Sequence, residues 1–195
     1  MERKKITLPL TRELARTLHA GDQVLLTGTI YTSRDAGHKR MCEALAKGEK
    51  IPFDPTDATI YYVGPTPAKP GAVIGSAGPT TSGRMDAYAP TMMSVGARGM
   101  IGKGARLPEV VEAMKNTTVF TLVQSEEQVH FWTKCIKKAE LIAYEDLGAE
   151  ALKKTVCRRY AFICYHRLRK EITCTMKDVK LIWIHRINKS YGGGL

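Results

Sequence analysis

Apolar residues in this chain come in short runs whose internal spacing changes from one run to the next. Gln23-Val-Leu-Leu-Thr-Gly-Thr-Ile-Tyr31 is brief, apolar and preceded by the turn signal Gly21-Asp22, which predicts a strand. Upstream of it, Thr7–Leu18 mixes polar and apolar positions. From Asp35 the spacing turns helical: Met41, Cys42 and Leu45 recur on one face, Asp35 suits an N-cap, and Gly48 supplies a stop.

A proline-rich connector over Ile51–Asp57 leads to a second strand, Thr59-Ile-Tyr-Tyr-Val63. The three prolines of Gly64-Pro-Thr-Pro-Ala-Lys-Pro-Gly71 forbid a helix and predict an extended or turned connector. Ala72–Gly75 reads as a third short strand, and a helix is expected near Ala89-Pro90, because proline is favoured in a first helical turn. Further on, Met100-Ile101 predicts a brief strand and Pro108–Lys115 a helix. Thr118–Val123 predicts a strand, Val129–Lys138 a helix, and Leu141–Tyr144 and Leu181–Ile184 strands. Strands alternating with helices imply a layered α/β fold.

Composition refines this picture little. With 195 residues, 44% hydrophobic and 25% charged, the chain has the profile of a globular protein with one sizeable core. No apolar run reaches the roughly 18–20 residues a membrane helix needs. The start, Met1-Glu-Arg-Lys-Lys-Ile-Thr-Leu-Pro-Leu10, lacks the apolar stretch of a signal peptide, so a cytoplasmic protein is expected. Cys42, Cys135, Cys157, Cys164 and Cys174 form no C-x-x-C pair, which predicts buried free thiols rather than disulfides or a zinc site.

Charge does change the picture, through its distribution. Of the net +11, Thr155–Leu195 carries nine Lys/Arg against two acids, or +7, which leaves +4 for residues 1–154. Those residues show no basic stripe interleaved with aromatics, which argues against nucleic acid as their partner.

The chemistry concentrates at three cations displayed among small residues at strand ends. Arg34 follows the first predicted strand; Arg84 lies in Gly78-Pro-Thr-Thr-Ser-Gly-Arg-Met-Asp86; Lys103 stands between Gly102 and Gly104. Strand ends of an α/β sheet gather at one edge, where ligands bind, and several cations there suit a small dicarboxylate. A phosphate loop is excluded around Lys103, since neither the glycine spacing nor the following hydroxyl is present. Thr80 and Thr81 read either as turn-forming hydroxyls or as a nucleophile or base. His38, three residues after Asp35, is expected to pair with it and set the helix position.

Several of these segments resemble a known family. Thr27-Gly-Thr-Ile-Tyr-Thr-Ser-Arg-Asp-Ala-Gly-His-Lys-Arg40, Tyr61-Tyr-Val-Gly-Pro-Thr-Pro-Ala-Lys-Pro-Gly71 and Gly75-Ser-Ala-Gly-Pro-Thr-Thr-Ser-Gly-Arg-Met-Asp86 look like the beta subunit, or C-terminal domain, of class I iron–sulfur fumarate hydratases. Gly102-Lys-Gly104 and Lys134-Cys-Ile-Lys-Lys-Ala-Glu-Leu-Ile-Ala-Tyr-Glu-Asp-Leu-Gly148 continue the match in order. The resemblance implies a swivelling β/β/α three-layer domain and a hydro-lyase that interconverts fumarate and malate. A 4Fe-4S cluster would be ligated by a partner alpha subunit and not by this chain, in a hetero-oligomer with no membrane attachment. It further implies that Arg34, Arg84 and Lys103 contact substrate carboxylates and that Thr80 is the base, with Thr81 and Asp86 beside it.

The matched segments suggest a domain over residues 1–154 and a divergent basic segment over residues 155–195. Val123–Trp132 also departs from the family pattern. Two other readings stay open: the beta subunit of a related hydro-lyase such as tartrate dehydratase, and a non-catalytic module binding small anions or nucleic acid.

Overall fold

The computed structural model describes residues 3–123 and 132–164. The strand expected at Leu181–Ile184, and Cys174, lie outside the described residues. Seven strands form one sheet in the order β1-β2-β3-β4-β5-β7-β6: β1 (Lys4–Thr7), β2 (Gln23–Thr32), β3 (Thr59–Tyr61), β4 (Gly99–Ile101), β5 (Phe120–Val123), β6 (Ile136–Ala143) and β7 (Leu152–Cys164). Strands β1 to β5 pair in parallel with their neighbours. Strand β7 runs antiparallel to β2, β5 and β6. Because β7 meets both β5 and β2, the pairings β2–β3–β4–β5–β7 close into a ring.

Alternation along the parallel strands explains two separate cores. In and just after β3, Ile60 and Tyr62 join one cluster while Tyr61 and Val63 join the other; in β4, Met100 and Ile101 divide the same way. The first cluster is filled by β1, β2, β7 and α1 (Arg12–Arg16). The second is rich in methionine and takes in α2 (Asp35–Ala46), α3 (Ala89–Ser94) and α4 (Pro108–Thr117). The chain is therefore mixed α/β, with α2, α3 and α4 packed against one side of its parallel strands and α1 in the other core. Among the described residues no helix is long and apolar enough to cross a membrane.

Most predicted elements recur within a residue or two, and the departures have physical causes. Ala72–Gly75 is not a strand. The connector folds back on itself instead, with Thr66 N–H donating to Ser76 O at 2.9 Å. A β-carbon on Gly75 would lie 2.0 Å from Thr66 O and 2.6 Å from Pro67 O, so only glycine permits this approach. Gly75→Ala is therefore expected to lower stability by about 1–3 kcal/mol, the usual cost of overpacking, measurable as an earlier urea midpoint. An unchanged midpoint would mean that the connector packs elsewhere in solution.

Of the helix expected over Val129–Lys138, residues 129–131 lie outside the described part. Trp132–Cys135 is helical (α5), but Lys137 and Lys138 belong to β6. Strand β7 runs without a break across the change of composition at Lys154, burying Thr155, Cys157, Tyr160 and Phe162. The alternation of Leu152, Cys157, Tyr160 and Phe162 with charged residues is a strand signal obscured by a bulge, where Arg159 takes a φ of 53°.

Candidate active site

Three parallel strands end at one edge of the sheet, and each delivers a predicted residue there. Strand β2 runs into Ser33 and Arg34, with Ser33 N–H bonded to Tyr61 O at 3.1 Å. Past β3, Tyr62 O accepts from Thr80 N–H at 2.7 Å, which ties the Gly78–Asp86 segment to that strand end. Strand β4 leads to Lys103, which forms an isolated parallel bridge with Thr81. Lys103 N–H donates to Thr80 O at 3.3 Å, and Ser82 N–H donates to Lys103 O at 2.7 Å. The segment then turns through a short 3-10 helix, Ser82–Met85, that displays Arg84. Gly102 makes this junction possible: a β-carbon there would lie 2.2 Å from Ser82 Oγ and 2.9 Å from the Tyr62 ring.

Arg34 and Arg84 meet at one carboxylate. Arg84 Nη2 donates to Asp35 Oδ2 at 2.8 Å, while Arg34 Nε lies 3.8 Å from Asp35 Oδ1. Arg34 also pairs with Glu150 Oε1 at 3.1 Å through its Nη2. Burial raises the Asp35 carboxyl, but the Arg84 hydrogen bond, its own backbone bond and both guanidinium charges outweigh it and hold the group below the ordinary value. Lys103 is exposed, and among the described residues its ammonium has no hydrogen-bond or ion-pair partner. The same is true of the Thr80 and Thr81 hydroxyls, so neither is spent on forming the turn. The three cations and the two threonines thus share one edge.

Asp35 is the first helical residue of α2 rather than its cap; Arg34 takes the cap position without a side-chain bond. The expected His38–Asp35 pair does not form. His38 is fully buried, and its Nδ1 lies 2.9 Å from Arg34 O and 3.1 Å from Ser33 Oγ. One helical turn brings His38 back over the Arg34 carbonyl, while Asp35 points to the arginines. A proton on Nδ1 satisfies these acceptors, leaving Nε2 as a buried lone pair without a partner.

A buried ion pair beneath the edge escaped sequence reasoning. The side chains of Asp86 and Arg106 are 1% and 0% exposed, and Arg106 Nε lies 2.8 Å from Asp86 Oδ1. The approach is outside hydrogen-bond geometry, so the contact is an ion pair in which those two atoms remain without a hydrogen bond. Asp86 Oδ2 accepts from Leu107 N–H at 2.7 Å, and the Arg106 guanidinium lies 5.4 Å from the Tyr62 ring centroid. The available signal was an acid closing one glycine loop, Asp86, and a second cation closing the other, Arg106.

Cys42, Cys135, Cys157 and Cys164 are free thiols. Burial pushes Cys157 up to about 12, which keeps it an inert core thiol. Among the described residues no three His, Cys, Asp or Glu side chains lie together as a metal-ligand group.

A family model described as Fumarase C-terminus matches residues 1–164. Among curated proteins, the chain is 37% identical over 131 residues to "Fumarate hydratase class I, aerobic" of Salmonella typhimurium, covering 66% of this chain and 23% of that one. It is 35% identical over 136 residues to "Fumarate hydratase 2" of Leishmania major, covering 69% and 24%. It is 31% identical over 140 residues to "Putative L(+)-tartrate dehydratase subunit beta" of Methanocaldococcus jannaschii, covering 70% and 72%. The chain thus spans about a quarter of the fumarate hydratases it matches but most of the tartrate dehydratase subunit. With the match running from the first residue to the end of β7, the chain belongs to the Fumarase C-terminus family.

Proposed function

We propose that this chain is the beta subunit of a class I fumarate hydratase. In this reading it is a swivelling domain that closes over a dicarboxylate held on a cluster-bearing alpha subunit. The observation that carries the reading is the convergence of Arg34, Arg84, Lys103 and Thr80 on one sheet edge. The match over 72% of a tartrate dehydratase beta subunit supports reading this chain as a beta subunit.

Each residue has a distinct task. Arg34 and Arg84 offer guanidinium forks to substrate carboxylates, and Lys103 adds a mobile point charge from the neighbouring loop. As a C–H bond beside a carboxylate breaks, negative charge grows on that carboxylate, and fixed cations stabilise it more in the transition state than in the ground state. Thr80 Oγ1, as the alkoxide left once its own proton has passed to solvent, takes the carbon-bound proton in the malate-to-fumarate direction. The hydroxyl departs as water on a proton from an acid of the alpha subunit. The cations around Thr80 lower the cost of the alkoxide this requires. Thr81 lies beside it as a further substrate contact. The 4Fe-4S cluster of the enzymes this chain resembles is assigned to the alpha subunit, and no thiol of this chain is assigned to it.

Co-production with an alpha subunit under anaerobic conditions is expected to yield a complex that consumes fumarate, seen as loss of its ultraviolet absorbance. In that complex Arg84→Ala should lower kcat/KM by about tenfold to a hundredfold, as befits one charge-assisted hydrogen bond. Unchanged kcat/KM would remove Arg84 from the carboxylate site. A complex inactive on fumarate but active on tartrate would select the second reading, a tartrate dehydratase beta subunit, which the 72% coverage of that relative favours. A well-assembled complex inactive on both would overturn the assignment.

A further inference from the structure

Two arginines positioned to grip one dianion face a difficulty before the dianion arrives. Their like charges repel, and each long side chain has many rotamers that point elsewhere. Glu150 steadies Arg34 from one side only and does not reach Arg84. Asp35 reaches both. Its Oδ2 accepts from Arg84 Nη2 at 2.8 Å, and its Oδ1 faces Arg34 Nε at 3.8 Å.

Asp35 is well suited to such a role. It is the first residue of a twelve-residue helix, where a carboxylate is favoured by the helix dipole and its backbone is fixed. Its side chain is short, so the helix start dictates where its two oxygens lie. Arg34 Nε and Asp35 Oδ1 are both shielded from solvent and have no hydrogen-bond partner among the described residues. The contact is therefore an ion pair with slack, able to tighten when a substrate carboxylate draws Arg34 forward. Each guanidinium keeps further N–H groups for a ligand while Asp35 holds one edge.

We propose that Asp35 is the positioning residue of the carboxylate wall, holding Arg34 and Arg84 side by side so that both forks face the same dicarboxylate. This rests on the functional reading above. With Asp35 in place, Arg34, Arg84, Lys103, Asp35 and Glu150 sum to one positive charge. Asp35 therefore limits crowding of like charges in the empty site without cancelling its attraction for a dianion.

The test uses the full chain and its complex with the alpha subunit, comparing wild type with Asp35→Asn and Asp35→Glu. In the complex, Asp35→Asn is expected to raise KM for fumarate about tenfold and to lower kcat as well, because the arginines it places act more strongly in the transition state than in the ground state. Asp35→Glu restores the charge and should recover part of the loss. A purely structural role would instead lower the active fraction, and hence kcat, at unchanged KM. An unchanged or lowered KM in Asp35→Asn would overturn the proposal while leaving the functional reading standing.

Arginine labelling of the full chain with phenylglyoxal, read peptide by peptide, separates the two claims. Fumarate should protect Arg34 and Arg84 in wild type and protect them much less in Asp35→Asn. If the wild-type complex turns over nothing but protection follows this pattern, the hydratase reading falls and the positioning role survives. Equal protection in wild type and variant, or none in either, overturns the positioning role.

Discussion

Replacing Arg106 by alanine is expected to destabilise the chain by about 3–5 kcal/mol, the usual cost of stripping one partner from a buried ion pair. Asp86 would be left 1% exposed with no counter-charge. Its Oδ2 would keep the Leu107 N–H at 2.7 Å, but one backbone donor does not replace a guanidinium. Packing is lost as well, since Arg106 covers the face of Tyr62, itself 1% exposed. Equilibrium urea unfolding of the full chain, followed by far-ultraviolet circular dichroism, measures this directly. The pair Asp86→Leu with Arg106→Met sharpens the result, because removing both charges together leaves no buried unpaired charge and costs only the acceptor of the Leu107 N–H. The double variant should recover most of the stability lost by Arg106→Ala. If Arg106→Ala costs less than about 1 kcal/mol, within the range of exposed ion pairs, then water reaches this pair in solution and solvates the bared carboxylate.

The pair matters beyond stability because of where it sits. Asp86 ends the segment that carries Thr80, Thr81 and Arg84, and Arg106 follows the loop that carries Lys103. The Thr81–Lys103 bridge joins the two segments at one end and the Asp86–Arg106 pair joins them at the other. The spacing of the Thr80 and Lys103 segments is thus braced by an ion pair buried beneath the edge.

His38 should make the fold acid-sensitive. Burial lowers its pKa from 6.5 to about 4, against the opposing effect of its bond to the Arg34 carbonyl, with the Arg106 charge adding to the depression. The folded chain holds the ring neutral, whereas the unfolded chain protonates it near 6.5. The unfolded state therefore binds more protons between pH 6.5 and 4, and stability falls as pH falls through that window. A difference of that size between folded and unfolded chain makes this one residue responsible for a loss of about 3 kcal/mol. The geometry agrees: protonating Nε2 would create a buried N–H facing no acceptor. His38→Asn keeps a donor near the Nδ1 position and removes the titration. The difference in unfolding free energy between wild type and His38→Asn should therefore shrink or reverse as pH drops from 7 to 4. A difference constant across that range would mean that His38 titrates alike in both states.

Much of the candidate site was legible in the chain because its parts are local. Glycines flanking a cation mark a tight turn wherever it falls in space, so Arg84 and Lys103 stood out by their neighbours alone. Helix α2 was equally plain, since Met41, Cys42 and Leu45 repeat at helical spacing and Gly48, with a φ of 74°, ends the run. Parallel strands explain why the segments that carry the three cations lie together: β2, β3 and β4 point the same way, so their ends share an edge.

What stayed hidden depends on partners distant in sequence. Ala72–Gly75 has the composition of a strand, yet Thr66 and Pro67 occupy the space beside Gly75 and hold it in a loop. Strand β7 lies among basic residues and carries a bulge, so its period is broken where burial by β2 decides the matter. Only the pairing of Thr155 with Ile30 and Tyr160 with Leu26 reveals it as a core strand. Asp35 offers a choice of partners one turn away or across space, and the helix start turns it toward Arg84 rather than His38. Short segments of amino acids are enough to dictate where charge is carried, which backbone points need glycine, and that strands alternate with helices. Which charges face one another, and which are buried, follows from the folded chain alone, because an ion pair is set by the distance and dielectric between groups brought together from far apart.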